Sequence, residues 1–248
     1  MSSKPQLHKK ALTSPYVSTT DIIRTDVSGK ISWDEEWLDY CPIEYTAQIV
    51  FNSATKAQPE WADDPDPQSV KGFNRRDGEI DRRSHIGTYE VDLKYKDQPD
   101  ITYPRNPVGR TGMRGRGLLG RWGPNHAADP IVTRLSKVAG KGVVLEFIGI
   151  KRKDTGEIAL PGGMVDLGEP ISVTLRREFE EECLNSLETA PHLRQNIDAL
   201  MREQRPIYKG YVDDPRNTDN SWMETEAVEF FDKNGDLTRD LKLEAGFP

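Results

Sequence analysis

The sequence predicts an α/β protein, and three observations carry that reading. Residues 143–150, Val-Val-Leu-Glu-Phe-Ile-Gly-Ile, form a nearly continuous apolar run of strand length, expected inside a sheet. Pro161-Gly162-Gly163 then makes a turn, and Pro170 opens a helix where its missing N–H has no partner to lose. Runs rich in β-branched and aromatic residues recur on either side, at Tyr45–Phe51, His85–Tyr95, Ile207–Val212 and Trp222–Phe231.

The 248 residues fit one large domain or two small ones. Hydrophobic residues make up 35% and the mean hydropathy is −0.71, so the chain is polar, yet five Trp, eight Tyr and seven Phe can anchor a core. A net charge of −7 argues against a general nucleic-acid or anionic-membrane binder. It leaves room for an anionic ligand, because local arginines or a metal ion can hold phosphate. No stretch approaches the ~18 apolar residues that span a bilayer. Cys41 and Cys183 are far apart and are expected as two unpaired, buried thiols. The first 20 residues hold three Lys, no acid and no apolar run, and so predict a polar tail and no secretory signal.

Taken in order, residues 1–30 read as an extended arm. Trp33, Trp37 and Leu38 mark an amphipathic turn or strand edge, and residues 45–51 a strand. Prolines and aspartates make 57–68 a loop, and Asp77-Gly78 is a hairpin-type turn. A strand is expected at 85–95 and no long regular element over 97–117. Residues 105–130 carry five Arg and six Gly. Glycines let the backbone approach a ligand and arginines suit phosphate, but a basic linker fits the same composition. Within this stretch Trp122 is expected in a core and His126 as a hydrogen-bonded structural residue. Strands follow at 131–134, 143–151 and 157–160, with a turn at Asp154-Thr155-Gly156. Helices are expected at 170–184 and 190–204, strands at 207–212 and 222–231, and turns or loops elsewhere.

On the first helix, Glu178, Glu181 and Glu182 fall within one arc of roughly 100°. Like charges so close are unfavourable unless a cation or solvent screens them. Carboxylate oxygens suit Mg²⁺ or Mn²⁺, whereas Zn²⁺ would call for His or Cys. Arg177 is placed to orient the cluster, and Glu169 to fold back toward it. A solvated acidic face is the plain alternative; the glycine turn and Glu169 at fixed offsets favour the cation site.

Those offsets carry a resemblance. Gly163, five residues, Glu169, seven residues, then Arg177-Glu178-Phe179-Glu180-Glu181-Glu182 resembles the Nudix box of the Nudix hydrolases. The box usually continues with any residue, a glycine and an aliphatic; Cys183-Leu184-Asn185 stand here instead. Residues 115–130, 208–220 and 222–228 look like the ADP-ribose diphosphatase branch, related to the ADP-ribose-sensing domain of melastatin-type TRP channels. The likeness starts near Thr13-Ser-Pro-Tyr16 and covers nearly all the chain.

The resemblance implies a Nudix α/β/α sandwich over 129–248, an N-terminal β-rich cap over 31–128, an arm before it, and the nucleotide between cap and sandwich. Glu178, Glu181 and Glu182, with the Gly163 carbonyl, would hold Mg²⁺ (or Mn²⁺), and Arg177 and Glu169 would complete the catalytic set. Arg121, His126, Asp129, Asp214, Arg216 and Glu226 would contact the substrate, with Glu224 on the same strand as Glu226. The implied reaction is hydrolysis of ADP-ribose to AMP and ribose 5-phosphate. The alternatives are an ADP-ribose-binding sensor module and another nucleoside-diphosphate substrate. A monomer is expected, with no nucleic-acid or membrane partner, in the cytoplasm or, second, the mitochondrion. Leu167 replaces the branch's usual proline. Relatives continue past the Leu243-Glu-Ala-Gly-Phe-Pro248 end with a strand and a helix, so a C-terminally truncated, open-edged sheet is expected.

Overall fold

The computed structural model describes residues 8–51, 59–151, 156, 158–183 and 191–239, with positions 182, 183 and 191–193 by backbone alone. The turn expected at 154–156 falls largely outside the described residues, as does the end of the chain after residue 239. Two compact units form, one from Met1–Asn125 with Gly210–Glu224, the other from His126–Lys209 with Thr225–Pro248.

The first unit contains β1 (Ile43–Thr46), β2 (Arg76–Asp77), β3 (Ile80–Asp81), β4 (Val91–Tyr95), β5 (Gln98–Pro104) and β6 (Met113–Gly117). β1 and β6 pair in parallel, with Ile43 opposite Met113. β2 and β3 flank the expected turn, where Gly78 takes a φ of 64°. β4 and β5 form an antiparallel hairpin that sets Leu93 opposite Tyr103.

Several expectations shift here. The strand expected at 45–51 stops at Thr46, because the Ala47 N–H turns to the Gly117 carbonyl and Gln48–Val50 coil into a 3₁₀ turn that buries Val50. The strand expected at 85–95 is regular only in β4. Residues 97–117, expected without long elements, hold β5 and β6. Every residue of β6 is buried, so no polar–apolar alternation marks it. Residues 8–30 are packed into this unit and do not form an arm, with Ala11, Tyr16, Arg24 and Val27 all buried. Cys41 is exposed, against the expected buried thiol; the side chain of Cys183 lies outside the described residues.

The arginine-rich stretch is structural where it crosses this unit. A buried guanidinium needs partners for its N–H groups. Arg110 donates to the carbonyls of Lys30, Ser32 and Glu35, and Arg116 to those of Asp63 and Gly120. Arg114 forks onto Asp97, with both bonds at 2.6 Å. The apolar remainder gathers Val27, Tyr40, Tyr95, Tyr103 and Trp122 in one cluster, and Tyr89, Tyr211 and Trp222 in another. Trp122 thus takes the core role expected of it.

The second unit holds most of a five-stranded sheet. β7 (Gly123–Val138) is far longer than the strand expected at 131–134. β8 (Gly142–Phe147) pairs with it antiparallel, Leu145 facing Leu135. β9 (Ile150–Lys151) and β10 (Ile158–Ala159) form a small separate ladder. β11 (Gly163–Met164) pairs with β7, Gly163 opposite Ala128. Helices α1 (Ile171–Cys183) and α2 (Pro191–Leu200) follow, then β12 (Arg205–Tyr211) and β13 (Ser221–Asp232), with β13 lying between β7 and β12.

The apolar run at 143–150 does not lie inside the sheet. Among the described residues β8 has β7 as its one strand neighbour, and Val143, Leu145 and Phe147 are each more than half exposed. The core lies instead under α1 and α2: Leu175, Phe179, Ile197 and Leu200 pack with Ala128, Val132, Val228 and Phe230. Leu175 and Phe179 stand four apart on one helix face, which leaves Glu178 at the edge of that face and turns Glu181 toward the other side.

Candidate active site

The second unit assembles the acid cluster around one guanidinium. Pro170 lies just before the first residue of α1, and its carbonyl accepts the N–H groups of Val173 and Thr174. Glu169 therefore sits at the mouth of the helix, where it accepts from the Thr174 hydroxyl at 2.7 Å. Two turns along, Arg177 donates to both oxygens of Glu169, at 3.1 and 3.0 Å. It also donates to Glu178 at 2.7 Å, to Glu181 at 3.3 Å and to the Met164 carbonyl at 3.0 Å. One forked cation thus ties β11, the loop and α1 together. The Arg177 bond holds the Glu169 carboxyl below its usual range. The same bond raises the pKa of Arg177, so the cluster keeps a fixed cation at every working pH.

Glu178 is buried, at 7% exposure. Its carboxylate lies against β11, where a Cβ on Gly163 would come within 2.4 Å of Oε1. Only glycine leaves this space, and it brings the main chain of residue 163 beside the carboxylate. Glu181 stands more open, its side chain 56% exposed. Glu182 belongs to α1, but its side chain lies outside the described residues. Glu180 falls off this face and pairs with Arg176, which also reaches Asp198. The donor set is all oxygen, with a glycine cradle at its edge, so it fits a hard divalent cation.

His126 and Asp129 lie on β7 beside this turn. The His126 carbonyl accepts the Val165 N–H. Asp129 accepts from the Thr225 hydroxyl at 2.7 Å, and burial pushes its carboxyl up despite that bond. A Cβ on Gly162 would come within 2.0 Å of Asp129 Oδ1, so this turn too needs glycine. Glu226 pairs with Lys209 at 2.8 Å on the neighbouring strand.

The remaining candidates belong to the first unit. Arg121 donates to Asp63 and to the Glu60 carbonyl. Asp214 and Arg216 form a bidentate pair with each other, at 2.8 and 2.9 Å. Glu224 is fully buried and accepts from Ser84, the His85 N–H and the Trp222 indole. Sequence reasoning missed Asp166, which comes within 3.5 Å of Arg177, and Thr174. Asp166 and Glu169 do stand at a turn-like spacing of three, and the Glu169 N–H bonds the Asp166 carbonyl.

Comparison with known proteins gives the family. Residues 27–123 match the family described as NUDT9-like, N-terminal domain. Over 98% of its length the chain is 49% identical to "ADP-ribose pyrophosphatase, mitochondrial" of Rattus norvegicus, covering 70% of that protein. It is 45% identical to "Putative nudix hydrolase 6" of Caenorhabditis elegans, over 87% of this chain and 76% of that one. The chain belongs to the Nudix hydrolase family. Within it, the ADP-ribose pyrophosphatase branch is the one that the flanking motifs resemble. The tie to TRP channels also holds: a "Transient receptor potential cation channel subfamily M member-like 2" of Nematostella vectensis is 44% identical over 97% of this chain, which spans 16% of the channel. The stretch that resembles the Nudix box spans β11, the following loop and α1.

Proposed function

We propose that this Nudix hydrolase cleaves ADP-ribose to AMP and ribose 5-phosphate with the help of Mg²⁺ or Mn²⁺. The observation that carries the reading is the apposition of Gly163 and Glu178, braced by Arg177. The rat and nematode relatives, at 49% and 45% identity, support the hydrolase class and the first of them the substrate.

Glu178, Glu181 and Glu182, with the Gly163 carbonyl, would hold the cation. When bound, it supplies charge neutralisation at the diphosphate and acidifies the attacking water. The chain's own work is positioning. Arg177 fixes Glu178 and Glu169, so the carboxylates do not have to reorganise during reaction. A glutamate of the cluster takes a proton from the water as its oxygen bonds phosphorus and the diphosphate P–O bond breaks. His126, Asp129, Glu226, Arg121, Asp214 and Arg216 are the proposed substrate contacts. The name of the rat relative favours the mitochondrion over the cytoplasm.

The second reading is an ADP-ribose-binding module without turnover, favoured by the 44% identity to the channel. Purified protein with ADP-ribose and Mg²⁺, scored for AMP beside a Glu181→Gln/Glu182→Gln variant, decides between them. AMP formation that the variant loses supports hydrolysis; binding without AMP overturns it. Faster turnover of another nucleoside diphosphate would move the substrate assignment and leave the chemistry.

A further inference from the structure

The loop that carries Asp214 and Arg216 is held from behind by the N-terminal segment, within the first unit. Three successive loop carbonyls point into it. Arg24 Nη2 donates to the Pro215 carbonyl at 2.8 Å and to the Asn217 carbonyl at 2.9 Å. The Tyr16 hydroxyl donates to the carbonyl between them, that of Arg216, at 2.8 Å. Two residues before Pro215, the Asp213 carboxylate accepts the N–H groups of Lys9, Lys10 and Ala11 at 2.9–3.0 Å.

Arg24 is itself fixed. Its Nε donates to the Thr13 carbonyl and its Nη1 to the Thr111 carbonyl, and its guanidinium lies 5.0 Å from the Tyr16 ring centre. It is 6% exposed, and its guanidinium donates to the main-chain carbonyls of Thr13, Thr111, Pro215 and Asn217. The guanidinium donates from three nitrogens spread over a plane; a lysine's donors all leave one nitrogen and cannot span the same carbonyls. On the loop's other side the Asp214–Arg216 pair stays partly open, with side-chain exposures of 16% and 38%.

We infer that Arg24, seconded by Tyr16, is a positioning residue: it sets the backbone of residues 215–217 and so aims Asp214 and Arg216 at the substrate. This rests on the reading above that these two contact ADP-ribose. Binding geometry rather than chemistry should suffer when the brace is lost, because the acid cluster belongs to the other unit.

The test is steady-state kinetics of ADP-ribose hydrolysis for Arg24→Lys, Tyr16→Phe, Arg216→Gln and the pair Arg24→Lys/Arg216→Gln. Val50→Ala, in a separate cluster of the same unit, serves as a control for lost stability alone. The expectation is a KM about tenfold higher for Arg24→Lys and about threefold for Tyr16→Phe, with kcat within about twofold of wild type. The pair should be no worse than Arg216→Gln alone, because both act through one contact. Val50→Ala should lower the melting temperature without moving KM. A normal KM in Arg216→Gln would overturn the substrate reading and this inference with it. A raised KM in Arg216→Gln beside unchanged KM in Arg24→Lys and Tyr16→Phe overturns the positioning role alone, as does a KM rise in Val50→Ala equal to theirs. Should Arg24→Lys fail to fold, Tyr16→Phe carries the test.

Discussion

The place where a Cβ on Gly163 would stand is 2.4 Å from Oε1 of Glu178 and 2.5 Å from its Cδ. No side chain fits there without displacing the carboxylate. The clash is with the end of a side chain, so the fold can survive while the site cannot. Gly163→Ala is expected to lower kcat about 100-fold, with little change in melting temperature. Activity within about twofold of wild type at saturating Mg²⁺ would show that this apposition is not used.

Arg177 and Arg176 are neighbours on α1 with different partners. Arg177 bridges Glu169, Glu178, Glu181 and the Met164 carbonyl, whereas Arg176 serves Glu180 and Asp198. A lysine's three donors radiate from a single nitrogen and cannot span partners set this far apart. Arg177→Lys should therefore cut kcat/KM at least tenfold, and Arg176→Lys should leave it within about twofold. The same assay on both variants checks this; equal losses would mean that a positive helix face matters, not the brace.

The helix face of the candidate site was more legible in the sequence than the strands around it. Glu178, Glu181 and Arg177 share a face because helical periodicity is local, and Pro170 announces the start of the helix. Arg116 shows why the first unit was harder. It is fully buried, its carbonyl acceptors belong to Asp63 and Gly120, and it lies over the rings of Phe51 and Trp122. A buried strand of glycines and arginines leaves no alternating pattern, and its long-range partners stand many residues away. The apolar run on β8 misled in the opposite sense: its composition suits an interior strand, but composition does not say how many neighbours a strand has. Arg24 gave no signal, since its partners are main-chain carbonyls that every residue possesses.

Asp63 tests whether Arg121 is structural or substrate-facing. Its carboxylate accepts from Arg82 at 2.7 and 2.9 Å, from Arg121 at 3.1 Å and from the Trp122 N–H at 2.9 Å. Both members of the Asp63–Arg82 pair have side chains only 4% exposed. Removing one partner of a buried pair leaves the other charge uncompensated, which costs about 3–5 kcal/mol. Asp77 still bonds Arg82 at 3.0 Å, so Asp63→Ala should lie near the lower end. Urea unfolding measures that loss. Arg121→Met should cost much less stability, and a raised KM for ADP-ribose in that variant would mark Arg121 as a substrate contact.

His8 should give the first unit an acid-sensitive seam. The imidazole is 3% exposed, with Nε2 3.1 Å from the Gly109 carbonyl and Nδ1 3.0 Å from the Tyr211 hydroxyl. Nε2 faces an acceptor and so carries the proton, leaving Nδ1 to accept from Tyr211. Burial depresses the His8 pKa, outweighing the Gly109 bond and the Asp213 charge that raise it, and Arg24 adds to the depression. The neutral form is thus favoured by the fold. Its contribution is complete above the unfolded value of about 6.5. It is lost as pH falls below that value toward the depressed folded one, because the unfolded chain takes up a proton that the folded chain refuses. His8→Gln keeps a donor for Gly109 but does not titrate. Its melting temperature should fall less steeply than that of wild type between about pH 7.5 and about pH 5.5. Parallel curves for the two proteins would show that His8 is not the titrating group.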